Sequence, residues 1–238
     1  MYQMKSRIRY SECGPDNKLK IPAIINYFQD CTTENSENIG AGYTYLREKK
    51  RAWILNTWHI KINRRPEVGE SVDVSTWATG FKGIFGPRDF CMKTSDGEVL
   101  ACAQTLWVYI DTESGRPTKP TEEEIAMYEV EPPIAMEVAS RKITIPEGME
   151  QVSVVPVCKY HIDTNQHVNN SQYVQITYEV IREEYQVFEV RVEYKKAAVY
   201  GDVFYVKQKE EAGRIVVGLY DEEDNPYAVV EFIGEEKL

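Results

Sequence analysis

The residues of this chain that are best suited to chemistry lie in one polar segment, residues 160–173. Within it, Asp163, Asn165 and His167 occupy alternate positions. In an extended backbone, alternate side chains project to one side, so these three groups would lie together. A neutral imidazole can accept a proton near pH 7, an amide offers N–H donors that do not titrate, and a carboxylate can orient the imidazole. The spacing therefore predicts a hydrolytic cluster at Asp163, Asn165 and His167.

A helix is expected directly after this segment. Asn169, Asn170 and Ser171 are candidate N-caps, and apolar residues then recur at helical spacing through about Tyr185. The unpaired N–H groups at a helix start favour nearby negative charge, which a carbonyl oxygen acquires when water attacks the carbonyl carbon. Two interpretations are open on spacing alone. The segment forms either a hydrolytic site beside a helix start or a run of turn and capping residues with no chemical role.

The polar segment belongs to the second of two similar halves. In each half an expected helix precedes long strands, and a Gly-acid pair leads into a strand at Gly69 and again at Gly201. The first helix begins near Pro22 and ends near Gly40. Long strands with short connections predict an α+β fold in which each half packs a long helix on an antiparallel sheet. We expect residues 1–135 to form an N-terminal domain and residues 136–238 to form a C-terminal domain.

Composition narrows the function classes further. The 28 Lys and Arg against 38 Asp and Glu give a net charge of -10, which argues against nucleic-acid or anionic-membrane binding. No apolar run reaches the ~18 residues that a membrane span needs, and residues 1–15 lack the apolar core of a secretory signal. Five scattered Cys and three His predict neither disulfides nor a metal site, and a His161/His167 metal pair lacks further ligands. We expect a cytoplasmic protein.

Several motifs resemble one family, the acyl-acyl carrier protein thioesterases of bacteria and plant plastids. Residues 163–170, with the sequence DTNQHVNN, resemble the family's Asp-x-Asn-x-His-Val-Asn-Asn active-site signature. Residues 192–196, VEYKK, resemble the Glu-Tyr-basic-basic strand that follows the second helix in that family. Residues 64–77, 88–90 and 107–110 resemble strands of the family's first half. The similarity runs from about residue 18 to residue 232, in family order.

The resemblance implies a tandem double hot-dog fold and hydrolysis of fatty-acyl thioesters carried on acyl carrier protein. It implies neither a cofactor nor a metal. By position, His167 would activate water, Asn165 would orient or polarise the thioester, and Asp163 would support the cluster. The first half has no His at the corresponding stretch, so we expect one active site per chain, with the N-terminal domain binding the acyl chain. The oligomeric state stays open, and a homodimer is compatible with the sequence.

One departure from the plant members concerns the segment after the VEYKK strand. Those members have a Glu-Cys pair there, assigned to the site, whereas this chain has Ala197 and Ala198. No nucleophilic Cys is available at that position. Glu193 is the nearest acid in sequence, and we expect it to be a strand residue with a structural hydrogen bond. The missing pair keeps open a non-catalytic acyl-binding protein on the same scaffold, and a hydratase or dehydratase is a third alternative.

The densest basic run covers residues 47–51, and two interpretations apply to it. It is either a solvated helix end or a dock for the acidic carrier protein, because a strongly acidic enzyme needs a local positive patch to meet an acidic partner. The pairs Arg64 and Arg65, and Lys195 and Lys196, are rivals for the docking role.

Overall fold

A computed structural model describes residues 1–137, 139–211 and 213–236, and the chain divides into two compact units. The first unit comprises Met1–Asn56 and Ile62–Glu137. The second comprises Thr57–Lys61 and Val138–Leu238. The division is therefore not a single cut, because a short piece of one strand in the first half of the chain belongs to the second unit.

The first unit combines a long helix with an antiparallel sheet. Its elements, in chain order, are β1 (Tyr2–Arg7), α1 (Ile21–Asn38), α2 (Tyr43–Glu48), β2 (Arg51–Ile62), β3 (Ser71–Ala78), β4 (Phe85–Thr94), β5 (Val99–Asp111), β6 (Arg116–Pro117) and α3 (Glu122–Ala126). The sheet order is β1-β3-β4-β5-β2, with β6 paired to β5. Successive strands β3, β4 and β5 are joined by short turns, which places them side by side.

Helix α1 forms the core of the first unit because its apolar residues recur on one face. Pro22 lies in its first turn, where a missing N–H costs nothing. Ile21, Ile24, Ile25 and Phe28 are almost fully buried, and the Phe28 ring lies 5.2 Å from the ring of Phe90 on β4. Each such side chain contributes about 1.5–3 kcal/mol of burial free energy, so this face fixes the helix on the sheet.

The second unit repeats the arrangement with a shorter helix. Its elements are β7 (Glu150–Pro156), α4 (Asn170–Tyr178), β8 (Tyr185–Tyr194), β9 (Val203–Glu211), β10 (Arg214–Tyr220) and β11 (Pro226–Glu236). The strand order is β8-β11-β10-β9-β7, all antiparallel. Residues 57–61 of β2 pair with β8 and complete this unit. Tyr173 on α4 packs its ring 5.7 Å from Phe204 on β9.

The predicted α+β class is confirmed, with two local corrections. The second helix ends at Tyr178 rather than near Tyr185. Glu179, Glu183 and Glu184 follow that end, where negative charge opposes the helix dipole. The sequence interpretation also missed β1 and β7, the strands that open each unit. None of the helices in the described ranges is long and apolar enough to cross a membrane.

Candidate active site

The polar segment forms a tight hairpin, so the expected extended backbone is wrong at this point. Ile162 and Val168 pair as an antiparallel bridge, and the five residues between them form the loop. Gln166 N–H donates to the Asp163 carbonyl at 3.1 Å, and Asp163 N–H donates to the His167 carbonyl at 2.8 Å. Gln166 has a φ of 64°, in the left-handed region. This pattern is a turn followed by a left-handed residue, a common hairpin loop.

The Asp163 side chain holds this loop together. Its Oδ1 accepts the Asn165 N–H at 2.8 Å and the His167 N–H at 3.4 Å. An Asp that bonds the backbone two residues further on drives a turn, which competes with an extended strand. Asp163 therefore contacts the backbone of both other candidate residues and lies half-buried at the base of the loop.

Asn165 and His167 are both solvent-exposed on the hairpin. Within the described ranges, neither their amide nor their imidazole makes a hydrogen bond or ion pair with a side chain or backbone group. The structure thus brings Asp163 to the other two through the backbone, and it does not join the three side chains by hydrogen bonds. Both exposed groups keep their hydrogen-bonding capacity for a bound molecule.

The helix start after the hairpin is capped by Asn169, which is one of the three N-cap candidates predicted from the sequence. Its Oδ1 accepts from the Ser171 N–H and the Ser171 hydroxyl, both at 2.9 Å. The Gln172 N–H donates to the Asn169 carbonyl at 2.9 Å. The N–H groups of Ser171 and Gln172 at this helix start are therefore already in hydrogen bonds.

A buried tyrosine joins the hairpin to the loop that follows β8. The Tyr173 hydroxyl accepts the Ala198 N–H at 2.8 Å, and the Ala198 carbonyl accepts the Val168 N–H at 2.8 Å. Val168 is the residue after His167, so this chain of hydrogen bonds fixes the outgoing arm of the hairpin. Burial raises the pKa of Tyr173 to about 12, so the hydroxyl is neutral at ordinary pH. Sequence spacing marked Tyr173 only as a helix residue.

His161 lies beneath the incoming arm and is buried, with 2 % of its surface accessible. Its Nδ1 accepts the Cys158 N–H at 2.9 Å, and its backbone carbonyl accepts the Asn169 N–H at 2.9 Å. Burial lowers the pKa of His161, which favours the neutral ring that can accept this bond. His161 is thus a support for the hairpin, and its spacing in the sequence gave no sign of this role.

The first unit contains the same hairpin without the candidate groups. Gly14 N–H donates to the Lys18 carbonyl at 2.9 Å, and Asn17 N–H donates to the Gly14 carbonyl at 3.0 Å. Asn17 has a φ of 62° and so matches Gln166. By this match Gly14, Asp16 and Lys18 stand where the second hairpin has Asp163, Asn165 and His167. The shared backbone geometry indicates that the hairpin belongs to the fold of both units. The Asn165 amide and the His167 imidazole are not needed to form it, because the first hairpin has neither.

The remaining polar candidates have structural partners. Glu193 is buried, and its two oxygens bind the Ile143 N–H at 3.1 Å and the Lys195 ammonium at 2.7 Å, which confirms the structural interpretation. His59 is buried and bonds Glu189 through Nε2 at 2.8 Å. Among the described residues, no group of three or more His, Cys, Asp or Glu is arranged to hold a metal ion.

Most of the basic docking candidates are already in ion pairs. Lys50 pairs with Glu113 at 2.5 Å, and Arg51 pairs with Asp111. The rivals are occupied as well: Arg64 binds Glu70 and Glu98, Arg65 binds Asp16, Lys195 binds Glu193, and Lys196 binds Asp221. These facts fit a solvated helix end at residues 47–51, where α2 ends at Glu48.

Sequence comparison places both parts of the chain in one family. Residues 1–128 match the acyl-ACP thioesterase N-terminal domain, and residues 147–229 match the acyl-ACP thioesterase C-terminal domain. A dodecanoyl-[acyl-carrier-protein] hydrolase of Cinnamomum camphora is 28 % identical over 233 residues, covering 89 % of this chain and 60 % of the relative. Oleoyl-acyl carrier protein thioesterase 1 of Arabidopsis thaliana is 26 % identical over 223 residues, covering 85 % and 62 %. The chain spans about 60 % of the length of these relatives.

Solved structures confirm the predicted double hot-dog fold. An acyl-ACP thioesterase from Bacteroides thetaiotaomicron superposes with a TM-score of 0.90 at 18 % identity, covering 98 % of this chain and 97 % of that one. The 12:0-ACP thioesterase from Umbellularia californica gives a TM-score of 0.86 at 21 % identity, covering 99 % and 97 %. With both family domains matched in order and the same fold in these structures, the chain belongs to the acyl-ACP thioesterase family.

Proposed function

We propose that this protein hydrolyses fatty acyl-acyl carrier protein thioesters to free fatty acid and carrier protein. The observation that carries the proposal is the second hairpin, whose Asn165 amide and His167 imidazole have no hydrogen-bond partner among the described residues, on a loop that Asp163 holds in shape. The first hairpin has the same backbone and lacks these groups. Family membership supplies the reaction class, and the hairpin supplies the residues.

The proposed roles follow from the hydrogen-bonding capacity of each group. His167 accepts a proton from a water molecule while the water oxygen attacks the thioester carbonyl carbon. Asn165 donates an N–H to the carbonyl oxygen as that oxygen becomes negative. When the carbon–sulfur bond breaks, the leaving thiolate takes the proton from His167. Asp163 is a positioning residue in this scheme, because its Oδ1 is engaged with the backbone N–H groups of the other two.

Water is the proposed nucleophile because the loop after β8 offers no thiol. Ala197 and Ala198 stand at the positions of the plant Glu-Cys pair, and the Ala198 backbone is held against the hairpin by Tyr173 and Val168. A methyl group there can form no acyl-enzyme. Hydrolysis should therefore proceed without an acyl-enzyme intermediate and without a burst of thiol release.

The two domains have separate roles in this proposal. Residues 1–135 form the N-terminal hot-dog domain, which binds the acyl chain between its long helix and its sheet. Residues 136–238 form the C-terminal hot-dog domain, which carries Asp163, Asn165 and His167. The first hairpin has no His where the second has His167, which supports placing hydrolysis in the C-terminal domain and acyl binding in the N-terminal one.

A turnover assay on a panel of acyl-carrier thioesters tests the proposal. Release of free thiol together with free fatty acid, detected by a thiol reagent and mass spectrometry, is the expected result. Binding of acyl-carrier protein without any product would favour the non-catalytic acyl-binding protein. A change in chain unsaturation without thiol release would favour the hydratase. The names of the relatives include dodecanoyl and oleoyl substrates, so the panel should span those lengths and include an unsaturated chain.

A further inference from the structure

Cys91 and Cys102 form a pair of thiols on adjacent strands of the first unit. Cys91 lies on β4 and Cys102 on β5, and the two residues stand directly opposite each other in the antiparallel register. Their sulfur atoms are 3.1 Å apart, at hydrogen-bond distance. Both cysteines are reduced. The scattered positions of the cysteines in the sequence gave no sign of this pairing, because only the turn between β4 and β5 brings the two thiols together.

The backbone ladder places the two thiols where side chains of neighbouring strands approach most closely. In an antiparallel ladder, hydrogen-bonded pairs alternate with non-hydrogen-bonded pairs, and the Cβ atoms lie closer in the second kind. Tyr109 N–H donates to the Ile84 carbonyl at 2.9 Å, so those two residues form a hydrogen-bonded pair. The register of β4 and β5 has no shift before Met92, and Cys91 stands an odd number of residues beyond Ile84. Cys91 and Cys102 are therefore a non-hydrogen-bonded pair.

The strand on the other side of β4 gives the same result. Thr79 N–H donates to the Pro87 carbonyl at 3.0 Å, so alternate residues of β4 after Pro87, including Cys91, form hydrogen bonds with β3. The backbone N–H and C=O of Cys91 thus point toward Ser75 and away from Cys102. A disulfide needs Cβ atoms about 3.5–4.5 Å apart, which a non-hydrogen-bonded pair at about 4.5 Å meets and a hydrogen-bonded pair at about 5.5 Å does not. The sheet already supplies the spacing that a bridge requires.

The thiol pair is partly open to solvent and faces away from α1. Phe90, the residue before Cys91, packs on Phe28 of α1, and successive side chains of a strand point to opposite faces of the sheet. Cys91 is buried, with 4 % of its surface accessible, whereas Cys102 is half-buried. Cys102 is therefore the thiol that meets a small solute, and Cys91 is the second thiol in contact with it.

The contact between the sulfurs favours loss of one proton from the pair. The pKa of Cys91 is lowered because Cys102 can donate its S–H to the Cys91 thiolate, and the charge of Lys93 acts in the same direction. The pKa of Cys102 is raised by the same hydrogen bond. Since the remaining proton lies between two sulfurs 3.1 Å apart, either atom can carry the negative charge. A thiolate, and not a thiol, is the nucleophile that reacts with peroxide.

We propose that Cys91 and Cys102 are a redox site, which hydrogen peroxide converts reversibly into a disulfide between β4 and β5. The Cys102 thiolate attacks one peroxide oxygen and breaks the O–O bond; the product is a sulfenic acid, and the departing hydroxide takes up the proton that Cys102 had lost. The Cys91 sulfur then attacks the Cys102 sulfur, and the sulfenic hydroxyl leaves with the Cys91 proton as a second water. Two thiols are oxidised to one disulfide, and one peroxide is reduced to two waters.

The bond requires only a small movement of the two side chains. The sulfurs approach from 3.1 Å to a bonded length of about 2.05 Å, while the strands keep their register. In a reducing compartment a bridge of this kind is transient and forms when peroxide rises. The site takes no part in the proposed hydrolysis, so its failure would leave that function untouched.

Mass spectrometry of the intact and the digested protein after treatment with hydrogen peroxide tests the redox site. The wild type should lose two hydrogen atoms per chain and give a cross-linked peptide pair that contains Cys91 and Cys102, and dithiothreitol should reverse both changes. Cys91→Ala should instead accumulate a sulfenic acid at Cys102, trapped by dimedone, because the second thiol is missing. Cys158→Ser, at a half-buried cysteine of the second unit, is the matched control and should form the bridge as the wild type does.

The thermal unfolding midpoint shows whether the bridge fits the sheet. Closing a loop of about 12 residues restricts the unfolded chain, so oxidation should raise the midpoint of the wild type and of Cys158→Ser by roughly 5 °C and leave that of Cys91→Ala unchanged. The inference is overturned if the oxidised wild type gives no such peptide pair, if a sulfenic acid at Cys102 persists while Cys91 is present, or if oxidation lowers the midpoint. If Cys91→Ala does not fold, the oxidised and the dithiothreitol-treated wild type still decide the question.

Discussion

Asp163 can be tested as a positioning residue by comparing Asp163→Ala with Asp163→Asn. Both hydrogen bonds from the loop backbone go to one oxygen, Oδ1. Alanine removes that acceptor, whereas asparagine can keep it and removes only the charge. The two variants therefore separate the shape of the hairpin from the charge of the carboxylate.

The expected loss of unfolding free energy in each variant follows from the two hydrogen bonds that Asp163 Oδ1 accepts. The bond to Asn165 at 2.8 Å is a full charge-assisted hydrogen bond, while the bond to His167 at 3.4 Å is long and weak. Because Asp163 is only half-buried, we expect Asp163→Ala to cost about 2 kcal/mol of unfolding free energy, or roughly 4–8 °C in midpoint. Asp163→Asn keeps neutral bonds to the same groups and should cost less than about 1 kcal/mol.

The rate of hydrolysis should depend on the conformation of the hairpin more than on the charge of Asp163. A displaced hairpin moves both Asn165 and His167, so kcat for Asp163→Ala should fall about 100-fold, while Asp163→Asn should stay within about tenfold of wild type. Thermal unfolding and thiol release on the same preparations give both numbers. An Asp163→Asn variant with a wild-type midpoint and no activity would show that the carboxylate charge itself takes part in the reaction, and the positioning role would be wrong.

Three further predictions concern stability. Burial raises the pKa of Asp89 to about 6 from its ordinary 3.8, so the protein should lose stability as pH rises through that interval. Asp89→Asn should raise the free energy of unfolding by about 2 kcal/mol near pH 7.5 and change it little near pH 4, as measured by urea unfolding at both pH values. Burial lowers the pKa of His161 below its ordinary 6.5, so stability should fall as pH drops below about 6.5, and His161→Gln should flatten that decline in the same titration. Glu231 is buried between Arg191 and Arg214, and Glu231→Ala should cost about 3–5 kcal/mol because two cations lose their shared carboxylate; a midpoint within a degree or so of wild type would refute this.

The sequence predicted the fold better than the local shape of the site. The helical spacing of the apolar residues after Pro22 identified the main helix, and the nearly continuous apolar run of β5 and the apolar residues on one face of β2 identified long strands, because burial imposes those patterns. Strand β1 alternates between half-buried and exposed residues, and β7 begins with three exposed residues; neither carries an apolar run, so both gave a weak signal.

The hairpin shows why the site was harder to predict. Asp163 was interpreted as one of three groups on a common side, yet its carboxylate folds the backbone into a turn. The left-handed residue of that turn is Gln166, where a glycine or asparagine would have been a clearer signal. Spacing alone left both a hydrolytic cluster and a capping segment open. Only the family resemblance favoured chemistry, and the assignment of Asp163, Asn165 and His167 stays a prediction.

The matched hairpins of the two units allow a direct test of where hydrolysis occurs. Lys18 occupies in the first hairpin the place that His167 occupies in the second, so the two alanine substitutions perturb equivalent backbone positions. The measurement is kcat for acyl-carrier thioester hydrolysis by His167→Ala and Lys18→Ala, with folding checked by unfolding midpoint. Loss of the general base predicts a fall of about 100-fold or more for His167→Ala and wild-type turnover for Lys18→Ala. Wild-type turnover by a folded His167→Ala protein would contradict the assignment of the reaction to the second hairpin.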